Sequence, residues 1–197
     1  MTRADVSGWL LLASFALWVP AAALPSRVWA APLRERLALI ARRRRRWQAV
    51  NLSVGGAAVA LVLGFAALAE PLERAGGGVL VPLSLAALLL GAALWLANIA
   101  FRVTAMTAAS RAEPPPGFEA VSAWAGGLFL AWTVLGNAAV VGFGAAVVDS
   151  AYPTAWCGWA AIALGSAILV QLLITGDALP ALYHVAPALV GIALLLD

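Results

Sequence analysis

Charged residues make up only 11% of this 197-residue chain, and all twelve of its basic residues are arginine, so lysine is absent. A soluble domain carries about 25% charged residues, because its surface must be hydrated. Hydrophobic residues reach 64% and the mean hydropathy is +0.97. This balance excludes an ordinary soluble domain and predicts a protein whose surface lies largely in lipid.

Motifs of several enzyme classes are missing as well. The sequence has no HExxH metal motif, no GxSxG nucleophile elbow and no CxxC pair. Without lysine there is no phosphate loop ending in Lys, and a single histidine excludes bis-histidine haem within one chain. The single cysteine, Cys157, excludes an internal disulfide. We therefore expect no enzyme, no metal and no cofactor, although a membrane enzyme using His184 and Asp177 stays open.

Six apolar segments are long enough, or nearly so, for the roughly 20 residues that a spanning helix needs. The sequence therefore predicts an all-α polytopic transmembrane helical bundle forming one domain, 1–197. Its cytoplasmic loops are predicted at 25–49, 102–120 and 175–179. The first segment also resembles a signal peptide, but Asp5 and the arginines that follow favour a retained helix. The predicted spans are 8–24, 50–68, 79–101, 121–148, 154–174 and 180–196.

The distribution of arginine predicts the orientation. If the amino terminus lies outside, ten arginines fall in cytoplasmic segments and only Arg3 and Arg74 fall outside. Cytoplasmic loops of membrane proteins carry an excess of basic residues. We therefore expect both termini outside.

The segment 32–47 mixes leucine and isoleucine with arginine at helical spacing. We expect a helix that lies in the cytoplasmic interface with its arginines among lipid headgroups. A run of five arginines also resembles a nucleic-acid patch, but its position beside an apolar helix favours lipid. The expected partners are thus membrane lipids, with no nucleic acid. The run comprises Arg42, Arg43, Arg44, Arg45 and Arg46.

Small residues repeat every four positions at Gly56, Ala60 and Gly64, and again at Ala161 and Gly165. Such stripes let helices approach closely in a bilayer. Packing within the chain is the favoured interpretation. Contact with another membrane protein, or a homodimer, is the alternative.

A few polar side chains within the predicted spans form a candidate pocket. Asn98, Gln171 and His184 are predicted at similar depth in the inner leaflet, with Asp177 and Tyr183 close by. Convergent polar groups in an apolar setting are typical of ligand sites. The alternative is that these side chains bond one another and only stabilise the bundle.

The carboxyl-terminal third carries Pro153, Trp156, Gly158 and Trp159 before an apolar helix, and prolines with Gly191 in the last segment. It resembles short bacterial six-helix integral membrane proteins of a domain-of-unknown-function family, in which Pro-x-x-Trp-x-Gly-Trp often precedes the fifth helix. The resemblance implies a multi-pass protein of the bacterial inner membrane. It implies no activity and no site.

Two functional hypotheses follow from these patterns. The first is a non-enzymatic accessory subunit or small membrane sensor that acts through helix packing. The second is a transporter or channel for a small solute or lipid, with its polar site in the inner leaflet. A weak echo of residues 7–18 in residues 122–132 would give inverted halves, as in many transporters.

Overall fold

The computed structural model describes residues 2–24, 28, 31–177 and 183–196. Within these ranges the chain is helical and has no strand, which confirms the all-α prediction. A 3₁₀ turn, Val19–Ala23, follows the first helix, and a π-helical turn, Arg102–Met106, joins the helix Leu80–Phe101 to the helix Thr107–Ala109. The helices are α1 Arg3–Trp18, α2 Leu33–Arg42, α3 Arg44–Arg74, α4 Leu80–Phe101, α5 Thr107–Ala109, α6 Phe118–Ser150, α7 Ala155–Thr175 and α8 Val185–Leu196.

Five helical segments in the described part of the chain are long and apolar enough to cross a membrane. Several such segments indicate a multi-pass membrane protein. The final helix, α8, has only 12 residues, and the start of the predicted sixth span at 180 lies outside the described residues. The count of six and the orientation therefore stay predictions. The five segments are Arg3–Ala21, Arg44–Arg74, Leu80–Ala109, Phe118–Ser150 and Ala155–Thr175.

Helices α3 and α4 extend furthest beyond the predicted spans. Arg102 was expected to open a loop, but the π turn carries the helix on to Ala109, because no proline or glycine interrupts residues 102–109. The loop predicted at 102–120 thereby shrinks to 110–117. Helix α3 continues through Pro71 to Arg74. Pro71 has no N–H to donate to the carbonyl of Ala67, so the helix lacks one backbone hydrogen bond there, and it ends three residues later at Arg74.

Local signals fix the helix ends. Thr2 and Asp5 form a capping box at the start of α1, each side chain bonding the other's backbone N–H. Gly176 ends α7 with φ +69°, and its N–H donates to the carbonyl of Leu172. This left-handed cap suits glycine, which has no Cβ.

Six helices form a closed ring in the order α1, α3, α4, α6, α7 and α8, each packing on two neighbours. Across the ring, Phe65 of α3 stacks on Phe143 of α6 with ring centroids 4.2 Å apart. The ring has no wide lumen at this level, because these two aromatic side chains, at most 3% exposed, fill it.

Glycines allow the close helix crossings that hold this ring together. At the α6–α7 crossing, a Cβ on Gly158 would lie 2.5 Å from the carbonyl oxygen of Gly144. At the α1–α8 crossing, a Cβ on Gly191 would lie 2.8 Å from the carbonyl oxygen of Gly8. Close approach and hydrogen bonds associate helices in lipid, because burial against leucine gains little over burial in acyl chains.

Candidate functional site

The polar centre of the bundle is a hydrogen bond between the Ser14 hydroxyl and Nδ1 of His184, 2.6 Å apart. Ser14 lies on α1 and His184 in the turn before α8, and both are buried. Ser14 belongs to a buried face of α1 with Ser7 and Leu11, at i, i+4 and i+7. The sequence reasoning missed Ser14, although its seven-residue spacing from Ser7 was the available signal.

Tyr183 points the other way, toward α6. A Cβ on Gly136 would coincide with the Tyr183 hydroxyl, so only glycine leaves room for this ring. The rings of Tyr183 and Trp132 lie 4.8 Å apart. Among the described residues the buried Tyr183 hydroxyl has no hydrogen-bond partner. Leaving such a group unsatisfied costs about 1–3 kcal/mol.

Aromatic rings lie on both sides of Tyr183 and His184. Trp18 of α1 lies 6.1 Å from the His184 ring, and Tyr183 lies 5.4 Å from it at a steep angle. Beyond Tyr183, Trp132 stacks against Trp95 of α4 at 6.3 Å. Tyr183 and His184 therefore connect α1, α4 and α6 through one continuous set of side chains.

The Ser14–His184 spacing matches that of a nucleophile and its general base, but the surroundings do not. A catalytic pair needs a third group that orients the base and a path for substrate. Among the described residues, the rings that pack on His184 are those of Trp18 and Tyr183, and Ser14 is 0% exposed. In the described ranges no three His, Cys, Asp or Glu side chains are placed to hold a metal.

Asn98 does not join this cluster as the sequence predicted. Its amide donates to the carbonyl of Ala125 on α6, whereas Tyr183 meets α6 at Gly136. These positions are 11 residues apart along α6, or about 16 Å at 1.5 Å per residue. Two separate polar contacts therefore replace the single pocket expected.

The other two predicted pocket residues lie outside the buried cluster. Gln171 is half-buried on α7, and its carbonyl accepts a hydrogen bond from the Thr175 hydroxyl. Asp177 is exposed beyond the end of α7, where its N–H bonds the same hydroxyl. Of the five predicted residues, only Tyr183 and His184 are thus in one buried group.

The small-residue stripes face neighbouring helices of the same chain. Gly64 packs against Leu11 of α1, and Gly56 lies near Leu17 of the same helix. Ala60, between them, is buried at 7% exposure. On α7, a Cβ on Gly165 would lie 2.8 Å from Val141 of α6, and the buried Ala161 packs with Val140 and Ala186. Both stripes thus contribute to contacts within the ring.

The five consecutive arginines lie on both sides of the bend between α2 and α3. Helix α2 ends at Arg42, Arg43 breaks the helix with φ −136° and ψ 38°, and Arg44, Arg45 and Arg46 form the first turn of α3. The predicted interfacial helix therefore stops at Arg42 instead of reaching residue 47. All but Arg44, which is half-buried, are exposed.

Arginine side chains also enter the bundle at this end. The guanidinium carbon of Arg102 lies 4.9 Å above the Trp95 ring, and the Arg102 carbonyl accepts a 3.0 Å hydrogen bond from the Trp47 indole. Arg36 of α2 donates to the carbonyl of Ala31, and burial lowers the pKa of its guanidinium. We call this region the arginine end of the bundle.

Two glycines on α6 differ from the rest. Of the 18 glycines, five lie in turns or at helix ends, and eleven in helices lie close to another part of the chain. At Gly126 and Gly127, a Cβ would meet no described atom within 4 Å. The sequence analysis did not single out either glycine. The four-residue spacing of Ala123, Gly127 and Ala131 was the stronger signal.

No family model, curated protein or solved structure matches the chain. The likeness to short bacterial six-helix membrane proteins therefore stays a prediction.

Proposed function

We propose that this chain is a non-enzymatic membrane subunit that packs one face of α6 against a transmembrane helix of another membrane protein. The observation that carries the proposal is the open pair Gly126 and Gly127. Glycine in a helix costs about 1 kcal/mol relative to alanine. In this protein the other helical glycines offset that cost by admitting a neighbouring helix or side chain. Within the described residues, Gly126 and Gly127 have no such use.

The surroundings of these glycines suit a helix–helix contact. Ala123, Gly127, Leu130 and Val134 recur at i, i+4, i+7 and i+11 and are all exposed. A shallow groove at Ala123 and Gly127 thus continues into a ridge at Leu130 and Val134. Helices in membranes associate where small residues let the backbones approach and larger side chains pack around them. We call this surface the α6 face.

We further propose that the protein lies in the bacterial cytoplasmic membrane with its arginine end in the cytoplasm. The excess of arginine at that end supports this orientation. The resemblance of the carboxyl-terminal third to bacterial inner-membrane proteins supports the location. In this orientation Gly127 lies in the half of the bilayer nearer the cytoplasm.

Site-specific photo-crosslinking in native membranes tests the packing proposal. A photoreactive amino acid replaces Gly127, or, as a matched control, Leu83, which is 61% exposed on α4. We expect a protein adduct of one defined mass from position 127 and none from position 83. Equal adducts from both positions, or lipid adducts alone from both, would contradict the proposal.

A second candidate function is binding of a small solute or lipid beside Tyr183 and His184. The buried Tyr183 hydroxyl without a described partner, next to the Ser14–His184 bond, favours it, since a polar ligand would satisfy that group. In this case His184→Ala lowers ligand retention with little loss of thermal stability. An equal loss of stability would assign His184 to the structure of the bundle instead.

A further inference from the structure

A cavity of about 130 Å³ lies at the arginine end, in the corner where α2 meets α3. Its lining is divided between two kinds of side chain. Arg42 and Arg43 form the charged part and are both exposed. The remaining lining is apolar or aromatic and comprises Leu24, Val28, Leu39, Ile40 and Trp47.

The fold holds the apolar part of this cavity in place. Ile40 is 1% exposed and Trp47 is 2% exposed. The Trp47 indole is fixed by its hydrogen bond to the Arg102 carbonyl. The backbone of Arg43 turns the chain between α2 and α3, and both Arg42 and Arg43 line the cavity and are exposed. The arrangement is therefore a charged opening over a rigid apolar floor.

The charge of the surrounding sequence selects the ligand. Between Asp5 and Glu70 the chain carries eight arginines and one carboxylate, that of Glu35. A ligand at this opening is therefore favoured if it is anionic, and arginine binds phosphate well through its planar array of N–H donors. An apolar cavity of about 150 Å³ is large enough for benzene. A cavity of 130 Å³ thus accommodates the first carbons of an acyl chain rather than a whole lipid.

We propose that this cavity binds an anionic phospholipid, with the phosphate on Arg42 and Arg43 and the start of one acyl chain against Leu39, Ile40 and Trp47. The position fits, because α2 is an amphipathic helix outside the candidate spans, with Leu37 and Ile40 buried. A nucleic acid would contact the exposed arginines without using the apolar floor. The site does not depend on the α6 face.

The test is a titration of the detergent-solubilised full chain with phosphatidylglycerol or phosphatidylcholine, followed by native mass spectrometry. Arg42→Gln/Arg43→Gln removes the charges at the cavity. Arg45→Gln/Arg46→Gln removes the same charge from exposed positions that do not line it. We expect Kd for phosphatidylglycerol to rise about fivefold for each arginine removed at the cavity. The control variant should stay within about twofold of the unmodified chain, because salt and solvent screen exposed charges that do not contact the phosphate.

Two further measurements separate the contribution of the acyl chain to the affinity from that of the phosphate. Leu39→Phe, which narrows the cavity, should weaken phosphatidylglycerol binding while Arg42 and Arg43 remain. Glycerol 3-phosphate, which has the headgroup chemistry without an acyl chain, should compete poorly. Equal losses in the two arginine variants, an unchanged Kd in Arg42→Gln/Arg43→Gln, or full competition by glycerol 3-phosphate would each overturn the proposal. Thermal unfolding of every variant verifies that the fold is intact.

Discussion

The hydroxyl of Ser14 and Nδ1 of His184 lie 2.6 Å apart, although the two residues are 170 positions apart in the chain. This bond ties the first helix to the last and closes the ring of helices. It lies one or two turns from the Gly8–Gly191 crossing, where the same two helices meet backbone to backbone. The hydrogen bond and the glycine contact therefore stabilise one interface by different means.

We expect Ser14 and His184 to be energetically coupled. In a double-mutant cycle with Ser14→Ala and His184→Ala, the interaction energy should be about 0.6 kcal/mol and at most about 1.7 kcal/mol, as for other hydrogen bonds in membranes. The measurement is reversible unfolding in mixed micelles. Ser53→Ala is the control, because the Ser53 hydroxyl bonds the Leu17 carbonyl instead, and its effect should add to that of His184→Ala. Additivity of the Ser14 and His184 variants would contradict the coupling.

Glycine-to-alanine changes at two positions on α6 should differ in their effect on the free energy of unfolding. Gly136→Ala places a methyl group where the Tyr183 hydroxyl lies, and we expect a loss of about 1–3 kcal/mol in the free energy of unfolding. The methyl group added by Gly127→Ala would meet no described atom within 4 Å, so this variant should cause no loss in the free energy of unfolding. Tyr183→Phe should restore part of the stability of Gly136→Ala, because it removes the oxygen but leaves the ring. Equal stability of the two alanine variants would show that Tyr183 does not pack on Gly136.

The orientation is testable with two matched variants, Ala75→Cys and Ala112→Cys, both at exposed positions near opposite ends of the bundle. A membrane-impermeant maleimide added to intact cells should label Ala75→Cys, and should label Ala112→Cys only after permeabilisation. The native Cys157 is 0% exposed and should stay unlabelled in both. The reverse pattern would place the arginine end outside.

Sequence patterns predicted the helices well, because apolar length decides which segments can cross a bilayer. They failed where an end depends on tertiary contact. Arg102 is polar enough to suggest a loop, yet its guanidinium lies over Trp95 and the helix continues past it. The repeat at Gly56 and Gly64 identified a packing stripe, but the pattern alone did not reveal that α1 covers it.

The candidate site was harder to predict than the helices. His184 and Tyr183 were identified because polar groups are rare in the spans, but their partners come from distant parts of the chain. Ser14 and Gly136 look unremarkable in sequence, since serine and glycine are tolerated at many positions in membrane helices. Depth estimated along each predicted helix also placed Asn98 with His184, whereas Asn98 meets α6 at Ala125 and Tyr183 meets it at Gly136.

In the proposed function, the α6 face packs against another membrane protein. Native mass spectrometry of the protein purified in nanodiscs tests it, with Gly127→Leu as the disrupting variant. Ala66→Leu is the control, since Ala66 is an exposed small residue on α3. We predict that a bound protein of defined mass accompanies the unmodified chain and Ala66→Leu and is lost from Gly127→Leu. A chain that carries no protein, or a Gly127→Leu variant that retains it fully, would contradict the claim.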